Sequence, residues 1–255
     1  MAILFQNRAM PIEVALQLYT IRSETSKDFI GACERVKRFG CDNIELAGFG
    51  GMRAKDLAKA LNGIGLRAIG SHVGIESVIE SSNTIDDHLE LGCKLITVPW
   101  LANERRATAE AWRATGQVLE EAVHKFRDAG IQLGYHNHSF EFEPVGEQAG
   151  WEILFDAAPS IDAQVDVYWA AKGSRDPSAT IRSLPGRTPT IHAKDLAEDG
   201  GDIELGNGIL DWESIKDACV ANGVQFAIVE MDNPRLPPLE SAEACVRFAK
   251  SLFSV

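Results

Sequence analysis

Ser26-Lys-Asp-Phe-Ile-Gly-Ala-Cys-Glu-Arg-Val-Lys-Arg-Phe-Gly-Cys-Asp-Asn-Ile-Glu-Leu46 contains the unit from which the fold can be read. Its first part, 26–39, places Phe29, Ile30, Cys33 and Val36 at helical spacing, the pattern of a helix that buries one face. Gly40 is a stop signal, because a glycine takes the left-handed conformation that ends a helix before the chain turns away. The last part, 43–46, is a short apolar run suited to a strand. The same junction of helix, glycine and strand recurs at Gly65-Leu66, Gly92-Cys93, Gly130-Ile131 and Gly223-Val224.

Working outward, strands are expected at 13–18, 43–46, 67–71, 95–98, 132–136, 163–167, 190–193 and 226–230. Most are rich in Val, Ile and Leu, as strands covered on both faces require. Helical patterns lie between them at 26–39, 54–64, 85–91, 107–129 and 212–221. Repeated strand–helix units imply a parallel sheet, and eight of them in 255 residues fit an α/β fold of the closed (β/α)8, or TIM, barrel type. The alternative is an open doubly wound sheet. No Gly-rich phosphate fingerprint follows the first strand, where Gln17-Leu-Tyr-Thr-Ile-Arg22 stands, so the barrel is preferred. No linker or low-complexity segment divides the chain, and residues 1–255 read as one domain. The longest irregular stretches, 137–150 and 196–211, follow strands five and seven, where barrels carry substrate contacts.

Bulk composition narrows the function. A net charge of −12 opposes binding to nucleic acid through phosphate neutralisation. Cys33, Cys41, Cys93, Cys219 and Cys245 have no CxxC spacing, and their odd number suits reduced thiols. Residues 1–8 hold too short an apolar run for an export signal, and no stretch reaches the length of a membrane span. The expectation is a soluble cytoplasmic protein without a membrane partner.

Barrel sites are built at the C-terminal ends of the strands. Here the second strand ends at Glu45, the third at His72, the fifth at His136-Asn-His138, the sixth at Asp166, the seventh at His192 and the eighth at Glu230. His, Asp and Glu donors together suit one divalent ion, Mn²⁺, Co²⁺, Zn²⁺ or Fe²⁺, better than a thiolate zinc site or an all-oxygen calcium cage. Asp166 admits two roles, metal ligand or cap of the next helix. His192 is a ligand or a satisfied core histidine. His136 and His138 share one side of the strand. One of the pair ligates metal while the other contacts substrate, and His136, nearer the strand, is preferred as the ligand. Trp100 and Trp169, just past strand ends, contact a ligand or plug the barrel mouth.

Several of these segments resemble the sugar phosphate isomerase/epimerase group of the xylose isomerase-like TIM barrels, which includes the tagatose 3-epimerases. They are Gln17–Arg22, Asp42-Asn-Ile-Glu-Leu-Ala47, Gly134-Tyr-His-Asn-His138 with Phe140-Glu-Phe142, Val165-Asp166, Ile191-His-Ala-Lys-Asp195, Gly206-Asn-Gly-Ile-Leu-Asp-Trp212 and Ile228-Val-Glu230. They run through nearly the whole chain in the expected order. The resemblance implies a metal held by Glu, Asp, His and Glu from the last four strands. Asp166, His192 and Glu230 match three of these, and His136 stands where the first glutamate belongs. In the epimerases two metal-bound glutamates exchange a proton across the substrate carbon, and Glu141 is the candidate replacement for the missing one.

The expected activity is therefore metal-dependent isomerisation or epimerisation of a keto-sugar through an enediolate, with Glu230 or Glu141 as base. Glu45, His72, Trp100, His138, Trp169 and Lys194 are the expected substrate contacts. A lyase or dehydratase acting on 3-keto-glycosides or keto-inositols is the rival enzymatic reading. A DNA-repair barrel and a non-catalytic sugar-binding barrel are the others. Arg22, Lys172 and Arg175 are available for a substrate phosphate or are solvated surface charges, and a homo-oligomer is expected only by analogy.

Overall fold

Strand pairing closes on itself in the computed structural model, which describes residues 11–253; the reading of residues 1–8 lies outside them. The barrel strands are β1 (Glu13–Gln17), β2 (Asn43–Leu46), β3 (Arg67–His72), β4 (Leu95–Val98), β5 (Gln132–His136), β6 (Asp162–Asp166), β7 (Thr190–Ala193) and β8 (Phe226–Val229). Each is parallel to its neighbours, and β1 completes the ring by pairing with both β2 and β8. The glycines that close the intervening helices do so in the left-handed region, with φ of 77° at Gly65 and 74° at Gly223.

Alternation along each strand sorts its residues into two environments. Outward-facing Leu16, Ile44, Leu46, Val98, Val165, Ile191 and Val229 join the main core beneath the helices. A separate small cluster of Ala15, Ile69, Leu95 and Ile228, with Phe226 against it, fills the barrel interior. Buried polar side chains, Gln17, Glu45, His136, Gln164, Asp166, His192 and Glu230, occupy the strand ends instead. An apolar plug thus supports a polar mouth.

Two irregularities shape that mouth. The β2–β3 register slips between Ile44 and Glu45, so that Ile44 pairs with Ala68 but Glu45 with Gly70. Such a bulge re-aims the side chains beside it. The sixth strand stops at Asp166, one residue short of the expected end, because Asp166 Oδ1 accepts the Trp169 N–H at 2.8 Å and caps the helix Val167–Lys172.

The two long irregular stretches contain short ribbons, Pro144–Val145 with Gln148–Ala149 and Asp195–Leu196 with Asp202–Ile203. Helices at Ile75–Glu80, Gly150–Ala157, Pro177–Arg182 and Pro238–Phe253 go beyond the expected set. No helix among the described residues is long and apolar enough to cross a membrane.

Candidate metal centre

Four strands of one half of the barrel bring together residues at or beside their C-terminal ends. His136, Asp166, His192 and Glu230 each offer one donor atom, and these atoms all lie within 4.8 Å of one another. His72 forms a second, overlapping group with His136 and His192. Its ring stacks on His192, centroids 5.1 Å apart and 11° between planes, and meets His136 edge-on at 5.2 Å.

The donor set is chemically ready for a cation. Burial and the neighbouring imidazoles hold the His136 pKa well below the ordinary histidine value, so the ring is neutral and keeps its lone pairs. Asp166 uses Oδ1 as a helix cap, while its buried Oδ2 has no hydrogen-bond partner. A buried carboxylate oxygen left without a partner is costly. Lys194 Nζ, the nearest counter-charge, stands 4.0 Å from it. Burial pushes the Asp166 pKa up to about 7, against the pull of Lys194 and His192. Two imidazoles and two carboxylates, one with a free oxygen, fit a divalent transition metal.

Glu230 shows the opposite balance. Burial favours its neutral form, but His192 and Lys194 overcome that and hold the pKa well below the carboxylate range. Its Oε2 lies 2.9 Å from His192 Nδ1 and 3.6 Å from Lys194 Nζ. Burial also works against charge on His192, yet Glu230 and Glu45 on either side lift its pKa to about 10. A proton thus occupies the His192–Glu230 contact that a cation would compete for. Lys194, fully buried, hydrogen-bonds Asp232 and lies 5.4 Å from the Trp169 ring centroid. Glu230, Asp166 and Asp232 raise its pKa despite burial, so it remains cationic.

Some expected site residues stand elsewhere. Glu141, read as a candidate base, is fully buried: Oε1 accepts the Tyr135 hydroxyl at 2.7 Å and Oε2 the His138 N–H at 2.7 Å. Tyr135 belongs to the core outside the barrel, so this carboxylate braces the turn after β5 and does not face the mouth. Glu45, read as a substrate contact, is 1% exposed beneath the histidines with both oxygens engaged. Trp100 is 52% exposed, and no cluster side chain stacks on it among the described residues. Trp169 and His138 do border the cluster, with ring centroids 5.1 Å apart, and His138 Nδ1 is buried without a partner. Arg22 is tied to the Tyr19 and Asp232 carbonyls, Lys172 to the Tyr168 hydroxyl and the Gly200 carbonyl, and Arg175 to Glu152.

Sequence reasoning also passed over residues that hold the mouth together. Gln164 accepts at Oε1 from His72 Nε2 at 2.7 Å, with His136 Nδ1 at 3.2 Å from the same oxygen, and donates to Glu45 Oε1 at 2.7 Å. Its place two residues before Asp166 was the available signal, since a period of two puts both on one face. Asn137 Oδ1 accepts the Asp166 N–H and so joins the ends of β5 and β6. Asp195 gathers the N–H groups of Leu196, Gly206 and Gly208 and the Trp212 indole N–H. A Cβ on Gly208 would lie 2.2 Å from Asp195 Oδ1, which explains the glycine in the Gly206–Trp212 motif.

The closed barrel with this mouth is matched by a family model. Residues 33–252 match the xylose isomerase-like TIM barrel, and the chain belongs to that family. Two solved structures from Parabacteroides distasonis, both named sugar phosphate isomerase/epimerase, are similar. One is 22% identical with a TM-score of 0.82, covering 97% of this chain and 96% of its own. The other is 25% identical with a TM-score of 0.82, covering 93% and 97%. The IolI protein with a bound zinc atom is 14% identical with a TM-score of 0.76, covering 95% and 98%. No curated protein sequence matches the chain.

Proposed function

We propose that this protein is a divalent-metal-dependent isomerase or epimerase that removes a proton beside the carbonyl of a keto-sugar or sugar derivative. The observation that carries the reading is the convergence of His136, Asp166, His192 and Glu230 around one point, with Asp166 Oδ2 buried and unbonded. A divalent cation held by these four would polarise the substrate carbonyl and take up negative charge as the proton leaves. The zinc in the IolI structure supports a transition metal, and the donor set suits manganese, cobalt or iron as well.

The chain's own groups supply the rest. Glu230, kept anionic by His192 and Lys194, takes the proton. The Lys194 ammonium, 3.6 Å from Glu230 Oε2, offsets negative charge developing on a substrate oxygen. Trp169 and His138 form an aromatic wall against the apolar face of a sugar. With Glu141 turned away, Glu230 is the one carboxylate in the cluster free of a structural bond to the backbone. One base suffices when the proton leaves and returns on the same face, as in isomerisation. Epimerisation needs a second proton donor across the carbon, and Lys194, 3.6 Å from Glu230 Oε2, stands beside the base and not opposite it.

His136 in place of a glutamate favours one alternative, a lyase or dehydratase. There the same base removes a proton beside a ketone and a group on the next carbon departs. Incubation with keto-sugars and 3-keto-glycosides in D₂O, with Mn²⁺, Co²⁺ or Zn²⁺ supplied, separates the two. Deuterium in an isomerised product supports the first reading, and release of the glycosidic group supports the second. No turnover of either substrate class with any of the three metals overturns both.

A further inference from the structure

Glu45 lies outside the four-donor cluster, yet it is the residue on which the orientation of that cluster converges. Its Oε2 is 2.7 Å from His192 Nε2, and the opposite ring nitrogen, Nδ1, is 2.9 Å from Glu230 Oε2. The imidazole is therefore held edge-on between two carboxylates, one inside the cluster and one beneath it. A histidine ligates a metal through one nitrogen only, and the partner of the other nitrogen decides which one is free to do so.

Three features show that the Glu45 carboxylate is built into this place. Gln17 donates to Oε2 at 2.7 Å and Gln164 to Oε1 at 2.7 Å, so neither oxygen can rotate away. The β2–β3 register slips at this residue, setting Glu45 opposite Gly70. A Cβ on Gly70 would come within 3.0 Å of Glu45 Oε1, so the glycine makes room for the carboxylate. Its 1% exposure excludes a direct contact with bulk ligand.

We infer that Glu45 is a positioning residue: it keeps the proton of His192 on Nε2 and thereby presents the Nδ1 lone pair to the cation beside Glu230. The inference rests on the metal-dependent reading above. It assigns Glu45, on the β1–β3 side of the barrel, a role in cation binding without direct contact with the cation.

The test is Co²⁺ binding, followed by calorimetry and by the visible absorption of the bound ion, in the wild type, Glu45→Gln, Glu45→Asp and Gln17→Leu. Glu45→Gln is expected to weaken Co²⁺ binding about 10–100-fold, the usual effect of losing such a partner, and to alter the absorption envelope. Glu45→Asp should recover part of the affinity. Gln17→Leu removes one of the two bonds that lock the carboxylate but leaves the Glu45–His192 contact in place, so its loss should be smaller, within about threefold of wild type. Nitrogen-15 NMR of the Zn²⁺-loaded wild type should place the His192 proton on Nε2. Equal Co²⁺ affinity in wild type and Glu45→Gln, an equal loss in Gln17→Leu, or a proton on Nδ1 overturns the inference while leaving the metal site standing. Failure of the wild type to bind Co²⁺ overturns the metal-dependent reading, and the inference with it.

Discussion

The two halves of the barrel mouth carry similar side chains and use them differently. Strands β5 to β8 deliver His136, Asp166, His192 and Glu230, whose donor atoms face one another. Strands β1 to β3 deliver Gln17, Glu45 and His72, which bond mainly to one another, to Gln164 and to His192. One half offers atoms to a ligand, and the other fixes the atoms that are offered. A glutamate at a strand end therefore has no meaning by itself. Glu230, 5% exposed, stands beside a lysine, while Glu45, 1% exposed, disappears into a network.

The hardest blow to this division falls on Glu230. Glu230→Gln keeps the shape but removes the anion, and kcat is expected to drop by roughly 10³-fold or more with the fold intact. Wild-type turnover in that variant would dissolve the distinction between the two halves.

Asp166→Asn sharpens the comparison further, because asparagine caps helices as well as aspartate does. Cation affinity should fall at least tenfold while the thermal midpoint stays near wild type. Asp166→Ala should lose the affinity and about 1 kcal/mol of stability besides. If Asp166→Asn keeps wild-type affinity while Asp166→Ala loses only stability, the residue is a cap alone.

Glu141 supplies a smaller effect, visible in stability. Burial raises its pKa from 4.5 to about 7. The folded chain thus retains a proton that the unfolded chain releases, and this contribution is complete below about pH 4.5 and is lost as pH rises through 7. Glu141→Gln has no such titration. Between pH 5 and 8 the wild type should lose roughly 3 kcal/mol relative to the variant in denaturant unfolding. A pH-independent difference would contradict the burial of an ionisable carboxyl there. The smallest effect belongs to Arg175→Ala: with its guanidinium paired to Glu152, KM for a phosphorylated sugar should change less than about twofold.

Much of the fold could be read from the chain because its signals are local. Helix–glycine–strand junctions marked five of the eight strands and apolar runs marked the rest, all within a residue at each end, and the strand ends pointed to the cluster residues. The helix Gly150–Ala157 escaped because it buries Trp151, Ile153, Leu154 and Phe155 and shows little polar face to mark its period. Asp166 looked like either a ligand or a cap because a carboxylate has two oxygens, and the structure commits only one of them. The surroundings of Glu141 were not legible for a different reason. Its partner, the Tyr135 hydroxyl, lies on the outward face of β5, and a strand end shows nothing in sequence about the direction a following turn takes. Glu45 required knowledge of which neighbours a bulge would bring near it, and that is set by β3 and not by its own strand.

The central claim is that His136, Asp166, His192 and Glu230 hold one divalent cation. Anomalous scattering from a crystal soaked in Mn²⁺ tests it most directly. The account predicts one peak per chain, about 2.0–2.3 Å from a donor atom of each of the four residues. A peak bound elsewhere, or none at the cluster under saturating Mn²⁺, would contradict it.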